Sequence, residues 1–188
     1  MTATIALGII AAAAAVQAAL LVRGRRDADP VTPWMLAAAA ALLAAVIVER
    51  SLKIRFVAVT NTYESLVFFS GAVAAVAGIL ALALRRQPGE FVLFGATMVA
   101  LVLLMLSSSP LAPRDIQPPI PALRSLWLVL HVTLSFVGEA FFAVSFVAAI
   151  VALASRDGER RDQADRLVAT TIGIGYPVFT AGALIFGA

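Results

Sequence analysis

Gln117-Pro-Pro-Ile-Pro-Ala-Leu-Arg-Ser-Leu-Trp-Leu-Val-Leu-His-Val132 carries the chain out of a proline-rich loop and into an apolar run that continues to Ala154. A helix crosses a bilayer in about 20 apolar residues and satisfies its backbone polar groups internally. Leu126–Ala154 exceeds that length, so it reads as a membrane span long enough to tilt or to project beyond the hydrocarbon. The same run places the only histidine, His131, near its start. Ionisable or metal-ligating side chains at membrane depth are costly, so one that is present is a candidate functional residue.

The rest of the composition agrees with a membrane protein. Hydrophobic residues make up 62% of the chain and charged ones 13%, and the mean hydropathy is +0.99. Soluble domains sit nearer 45–50% apolar, with about 25% charged. Lys53 is the single lysine, so the basic balance rests on thirteen arginines. In a soluble protein that excess would suggest nucleic acid. Here the arginines lie between apolar runs, where they set topology and meet lipid headgroups, and no nucleic-acid partner is expected. The absence of cysteine excludes disulfides, thiolate metal sites and thiol–disulfide exchange, and with them a covalent c-type haem attachment motif.

Working outward from Leu126–Ala154, five further runs read as spans: Thr4–Val22, Pro33–Val48, Leu66–Leu84, Phe91–Leu106 and Leu167–Ala188. Thr32-Pro33 is the expected N-cap and first-turn proline of the second. Arg23, Arg25, Arg26, Arg85, Arg86, Arg156, Arg160, Arg161 and Arg166 fall on one side of the resulting bundle. Arg50, Lys53, Arg55, Arg114 and Arg124 fall on the other. Nine against five assigns the first group to the cytoplasm and both termini to the outside. The first run has nothing basic before it, so it reads as a reverse anchor rather than a cleaved signal peptide. The expected fold is all-α: one transmembrane domain over residues 1–188, a polytopic bundle of about six helices. Ala11–Ala15 and Ala37–Ala41 read as helix-contact surface, and Ser155–Arg166 as a solvated helix extension.

Three features on the expected outer side carry chemistry. Asn61-Thr62-Tyr63-Glu64-Ser65 precedes the third span. It reads either as an interfacial segment, with Tyr63 in the aromatic belt and Asn61 or Ser65 capping the helix, or as a site that also positions a ligand. The loop Ser107–Ser125 holds five prolines with Arg114, Asp115 and Arg124. It is a stiffened connector in which Arg124, seven residues before His131, would share a helical face with it at roughly 10 Å if the helix begins early. An arginine so placed suits a carboxylate such as a haem propionate. Finally, His131, Ser135 and Glu139 form a stripe at steps of four, which faces a bundle interior rather than lipid. His131 is a ligand to haem iron or a hydrogen-bonded packing residue. Glu139 reads as packing before proton relay, and Met105 as packing before a sulfur ligand.

These residues resemble the CcsA-type proteins of cytochrome c maturation. Three patches carry the resemblance: Asn61–Leu66, Pro121–Val132, and Ile174-Gly175-Tyr176-Pro177 with Gly182. The resemblance implies that His131 is one of two outer axial ligands to haem b, with Arg124 and Trp127 of the same patch as further haem contacts. It also implies that the tryptophan-rich loop holding the haem plane, the second axial histidine and the transmembrane histidine of the haem path follow the last span. The chain stops at Gly187-Ala188, so it reads as an N-terminal half, truncated or split.

The function implied is to help bind and present haem at the outer face of the cytoplasmic (inner) membrane for attachment to apocytochrome c. The missing half or a partner subunit completes what is at most part of a cytochrome c synthetase. The alternative is a non-catalytic assembly or regulatory subunit, like the HemX-type relatives, whose histidine serves packing.

Overall fold

The computed structural model describes residues 2–23, 29–83, 89–118, 121 and 124–187. Arg25, Arg26, Arg85 and Arg86 of the orientation argument lie outside the described residues, as do Pro119 of the loop and Ala122 and Leu123 of the second patch. Among the described residues the regular structure is entirely helical: α1 (Thr2–Val22), α2 (Thr32–Ile54), α3 (Thr62–Ala83), α4 (Glu90–Ser107), α5 (Leu126–Ala154) and α6 (Gly158–Thr180), the last continued by a π-helical turn at Ala181–Ile185. All six helices are long and apolar enough to cross a membrane. The protein is a multi-pass membrane protein.

Periodicity decides which face of each helix turns inward. In α1 the buried residues are Ala6, Ile10, Ala13, Ala14 and Gln17. In α2 they include Leu36, Ala39, Leu43, Val46, Arg50 and Ile54, again at steps of three and four, which line up on one side of a helix. α3 packs against α2, α4 and α5; 56% of its most apolar window is buried, against 17% in α6. α3 is thus the centre of the bundle, and α6 a peripheral helix that packs chiefly on α5. Ile79, Phe146 and Leu153 point outward, as side chains that meet lipid do. Small residues allow the close approaches: a β-carbon on Gly71 would lie 3.2 Å from Leu43 Cβ. Ser70 Oγ donates to Ala100 O at 2.8 Å across α3 and α4, a short-side-chain tie common between membrane helices.

The ends of the helices differ from the sequence expectation in instructive ways. Pro33 sits in the first turn of α2 as expected, but Thr32 is inside the helix and does not cap it. The capping oxygen belongs to Asp29, whose Oδ1 accepts from Val31 N and Thr32 N at 3.0 Å each. α2 runs past Val48 to Ile54 and closes at Arg55, which takes the left-handed conformation at φ 55°. Ser51 Oγ then accepts from Ala58 N at 2.9 Å, which turns the chain back toward α3. α6 begins at Gly158, so Ser155–Arg166 is indeed largely a helix extension, with Asp157 capping it through Glu159 N. Arg160 lies 5.0 Å over the Phe91 ring and ties that extension to the start of α4.

Candidate functional site

The end of the bundle formed by the C-termini of α2, α4 and α6 and the N-termini of α3 and α5 holds two polar clusters. The first is built around His131. α5 starts at Leu126, with the Ser125 side chain accepting from Trp127 N as its N-cap, so His131 lies in the second turn and is half-buried. Arg124 precedes the helix and is exposed; the early start that would have put it on His131's face does not occur.

What meets His131 is the end of α6. Pro177 lies inside that helix and lacks the N–H that the carbonyl four residues back would receive. The helix then widens into the π turn. Phe186 N donates to Ala181 O at 3.1 Å, five residues back. In α-helical register the same N–H would reach Gly182 O. Gly182 O lies 2.9 Å from His131 Nδ1. A carbonyl only accepts, so Nδ1 carries the hydrogen, and in the neutral ring Nε2 keeps its lone pair. The ring can therefore act as a ligand or base through Nε2, oriented by a backbone partner, as metal-bound imidazoles are.

Glycines make this contact sterically accessible. A β-carbon on Gly182 would stand 2.5 Å from Ser135 N and 2.8 Å from Leu134 Cβ; one on Gly187 would stand 2.6 Å from His131 Nδ1. Deeper in the seam, a β-carbon on Gly138 would meet Phe179 Cβ at 2.6 Å, and one on Gly175 would meet Phe141 Cβ at 2.8 Å. The third sequence patch therefore packs along α5, and its Gly182 meets His131 of the second. Trp127 joins it at the rim: its ring centroid is 5.2 Å from that of Phe186, and it remains 62% exposed. Ser135 Oγ is buried without a hydrogen-bond partner, and Glu139 is half-buried further along α5. Met105 is 57% exposed at the end of α4.

The second cluster gathers the first patch. Glu64 is fully buried and Arg50 nearly so, with Arg50 Nε 3.0 Å from Glu64 Oε1. The other two guanidinium nitrogens donate to the proline-rich loop, to Arg114 O at 3.0 Å and Asp115 O at 3.1 Å. Glu64 Oε2 accepts from Thr60 N at 3.2 Å, and Asn61 Oδ1 accepts from Glu64 N at 2.8 Å, so of the two candidate caps it is Asn61, not Ser65, that caps the helix. Tyr63 is buried beneath Arg50, whose guanidinium carbon is 4.8 Å from the ring centroid. Its ring packs inside the protein, not in an aromatic belt facing lipid headgroups. Charges taken out of water require both a partner and further hydrogen bonds, and this network supplies both.

Sequence reading missed two participants. Arg50 was counted only as a loop-side charge, although it continues the buried stripe Leu36, Ala39, Leu43, Val46 at helical steps; an arginine on an inward stripe calls for an acidic partner, and Glu64 is one. Gly182 O carried no side-chain signal. Among the described residues no group of three or more His, Asp or Glu side chains is placed to hold a metal ion, so His131 is the one imidazole to consider.

Residues 59–188, more than half of the chain, match the family described as cytochrome C assembly protein. Similar proteins include three cyanobacterial ones, each named cytochrome c biogenesis protein CcsA. That of Synechocystis sp. is 31% identical over 153 residues, covering 76% of this chain and 43% of the relative. That of Synechococcus sp. strain CC9902 is 33% identical over 153 residues, covering 79% and 48%. That of Synechococcus sp. strain RCC307 is 30% identical over 154 residues, covering 80% and 47%. The chain thus spans less than half the length of these curated relatives.

Proposed function

This chain belongs to the cytochrome C assembly protein family, and from that premise we propose that it is a membrane component of cytochrome c maturation that helps hold haem at the outer face for attachment to apocytochrome c. One observation carries the reading. His131, the only histidine, donates through Nδ1 to Gly182 O and so presents a bare Nε2 at one end of the bundle. That nitrogen would be available to ligate the iron of a haem, which when bound would supply the redox chemistry. The chain's own residues bind and orient. Gly182 O fixes the ring, Trp127 with Phe186 forms an apolar wall beside it, and Arg124, exposed just before α5, supplies a guanidinium for a propionate.

The His131 end is extracytoplasmic and both termini lie outside, the orientation favoured by the nine-to-five basic count. The membrane is the cytoplasmic (inner) membrane. The bundle over residues 1–188 acts as a single domain equivalent to the N-terminal half of the longer relatives. A second iron ligand and a surface for the haem plane would come from other residues or from a partner subunit, and the chain is at most part of a cytochrome c synthetase.

One observation favours the alternative of an assembly or regulatory subunit. Gly182 O already gives His131 a partner, as it would a packing histidine. Haem titration of the chain in lipid nanodiscs, followed by absorption, separates the two. The expected result is weak binding by the wild type, since a single imidazole leaves iron under-coordinated. His131→Ala abolishes it and added imidazole partly restores it. Equal titrations for wild type and His131→Ala would leave the packing role as the only one.

A further inference from the structure

We propose that Gly182 is a positioning residue for His131, and that the π turn at Ala181–Ile185 is the device that frees its carbonyl for the task. This deepens the reading of His131 as an iron ligand and rests on it for its purpose, although the geometry stands without haem. In an uninterrupted α-helix the carbonyl of Gly182 would receive Phe186 N. Here Phe186 N is committed to Ala181 O at 3.1 Å, and His131 Nδ1 lies 2.9 Å from Gly182 O. One extra residue in the turn therefore converts a helix hydrogen bond into an imidazole hydrogen bond. π turns recur at functional sites, and this one, at the end of α6, leaves a carbonyl available to a side chain.

The glycine is as necessary as the register. With a β-carbon there, 2.5 Å from Ser135 N and 2.8 Å from Leu134 Cβ, the turn could not approach α5 closely enough for the carbonyl to reach the ring. The contact sets two properties of His131 together. It selects the Nδ1–H tautomer, which leaves Nε2 as the free lone pair, and it fixes the ring plane. A hydrogen bond from the second nitrogen also raises the basicity of a ligating imidazole.

The single histidine makes the test direct, because 15N-histidine labelling of the chain in nanodiscs reports one ring. The wild type should show a protonated Nδ1 and a bare Nε2, the reverse of the tautomer that free histidine favours. Gly182→Ala should shift the ring toward Nε2–H. So should deletion of Ala183, which removes the extra residue and places Gly187 N four residues after Gly182, where the helix itself takes the carbonyl. Helical circular dichroism should stay unchanged in both. An Nε2–H wild type overturns the proposal whatever the variants do, and so does a ring that keeps Nδ1–H in both variants. If Gly182→Ala loses its helical signal, the deletion decides.

Adding haem to the same samples keeps the two ideas apart. An Nδ1–H wild type whose ring signals haem leaves unmoved supports the positioning role and removes the ligand. An Nε2–H ring that haem broadens does the reverse.

Discussion

Arg50 and Glu64 show how much one residue pair can fix at membrane depth. The pair is almost fully buried, and every guanidinium nitrogen of Arg50 has an acceptor, two of them carbonyls of the loop that leads into α5. Breaking such a pair from one side leaves a lone buried charge and costs about 3–5 kcal/mol, whereas replacing both partners by apolar groups costs much less. Arg50→Met and Glu64→Leu should therefore each lower the thermal midpoint of the detergent-solubilised protein strongly. The double variant should lose less than the sum of the two. Additive losses would mean that the pair is not coupled. At His131 the expected contrast is between neighbours: His131→Ala abolishes haem binding, whereas Ser135→Ala, which removes an unpartnered hydroxyl, changes it little. Equal effects would assign His131 to packing. His131 was legible in the sequence as a candidate, because it is an ionisable group within an apolar run, and Glu64 only as a member of the segment before the third span. Their partners were less so: Arg50 was readable only through its place in the stripe, and a backbone carbonyl such as Gly182 O has no letter of its own.

Among the elements, the seam between α5 and α6 sets how closely His131 is held. Gly138 and Gly175 let the two helices meet almost backbone to backbone, which is how membrane helices gain packing without a hydrophobic drive. Gly138→Leu should push α6 away from α5, lower stability and weaken the Trp127–Phe186 contact. Gly8→Ala in α1, where nothing lies within 4 Å, should be neutral or stabilise by up to about 1 kcal/mol, because a helix interior prefers alanine. Thermal unfolding of both variants checks the pair, and similar losses would show that the seam is not special. Hydropathy made all six helices visible in advance, since a bilayer demands long apolar runs. It misplaced several ends. The apolar run Pro33–Val48 ends before Glu49, Arg50 and Lys53, yet the helix continues to Ile54: Glu49 and Lys53 pair on the exposed side one turn apart while Arg50 turns inward. The π turn escaped notice because it alters hydrogen-bond register without altering composition.

For the whole molecule, the consequential question is which end of the bundle faces out. The two ends differ chemically. One holds His131, the buried Arg50–Glu64 pair and the proline-rich loop; the other holds the solvated start of α6, with Arg160, Arg161 and Arg166. Basic residues near span ends are retained on the cytoplasmic side, so the arginine-rich end should be inside and the His131 end outside. The proposed presentation of haem on the outside requires that same orientation, so topology tests the proposal as well as the fold. The chain lacks cysteine, so single cysteines can be introduced without background. Asp115 in the loop and Glu159 at the start of α6 are both exposed and lie at opposite ends of the bundle. A membrane-impermeant maleimide applied to intact cells whose outer envelope has been opened should label Asp115→Cys at once, and Glu159→Cys only after the membrane is permeabilised. The reverse pattern would invert the bundle and place His131 on the cytoplasmic side, removing the proposed outward presentation of haem. Labelling of both from one side would contradict the single crossing between those positions, because α5, Leu126–Ala154, separates them with 29 helical residues.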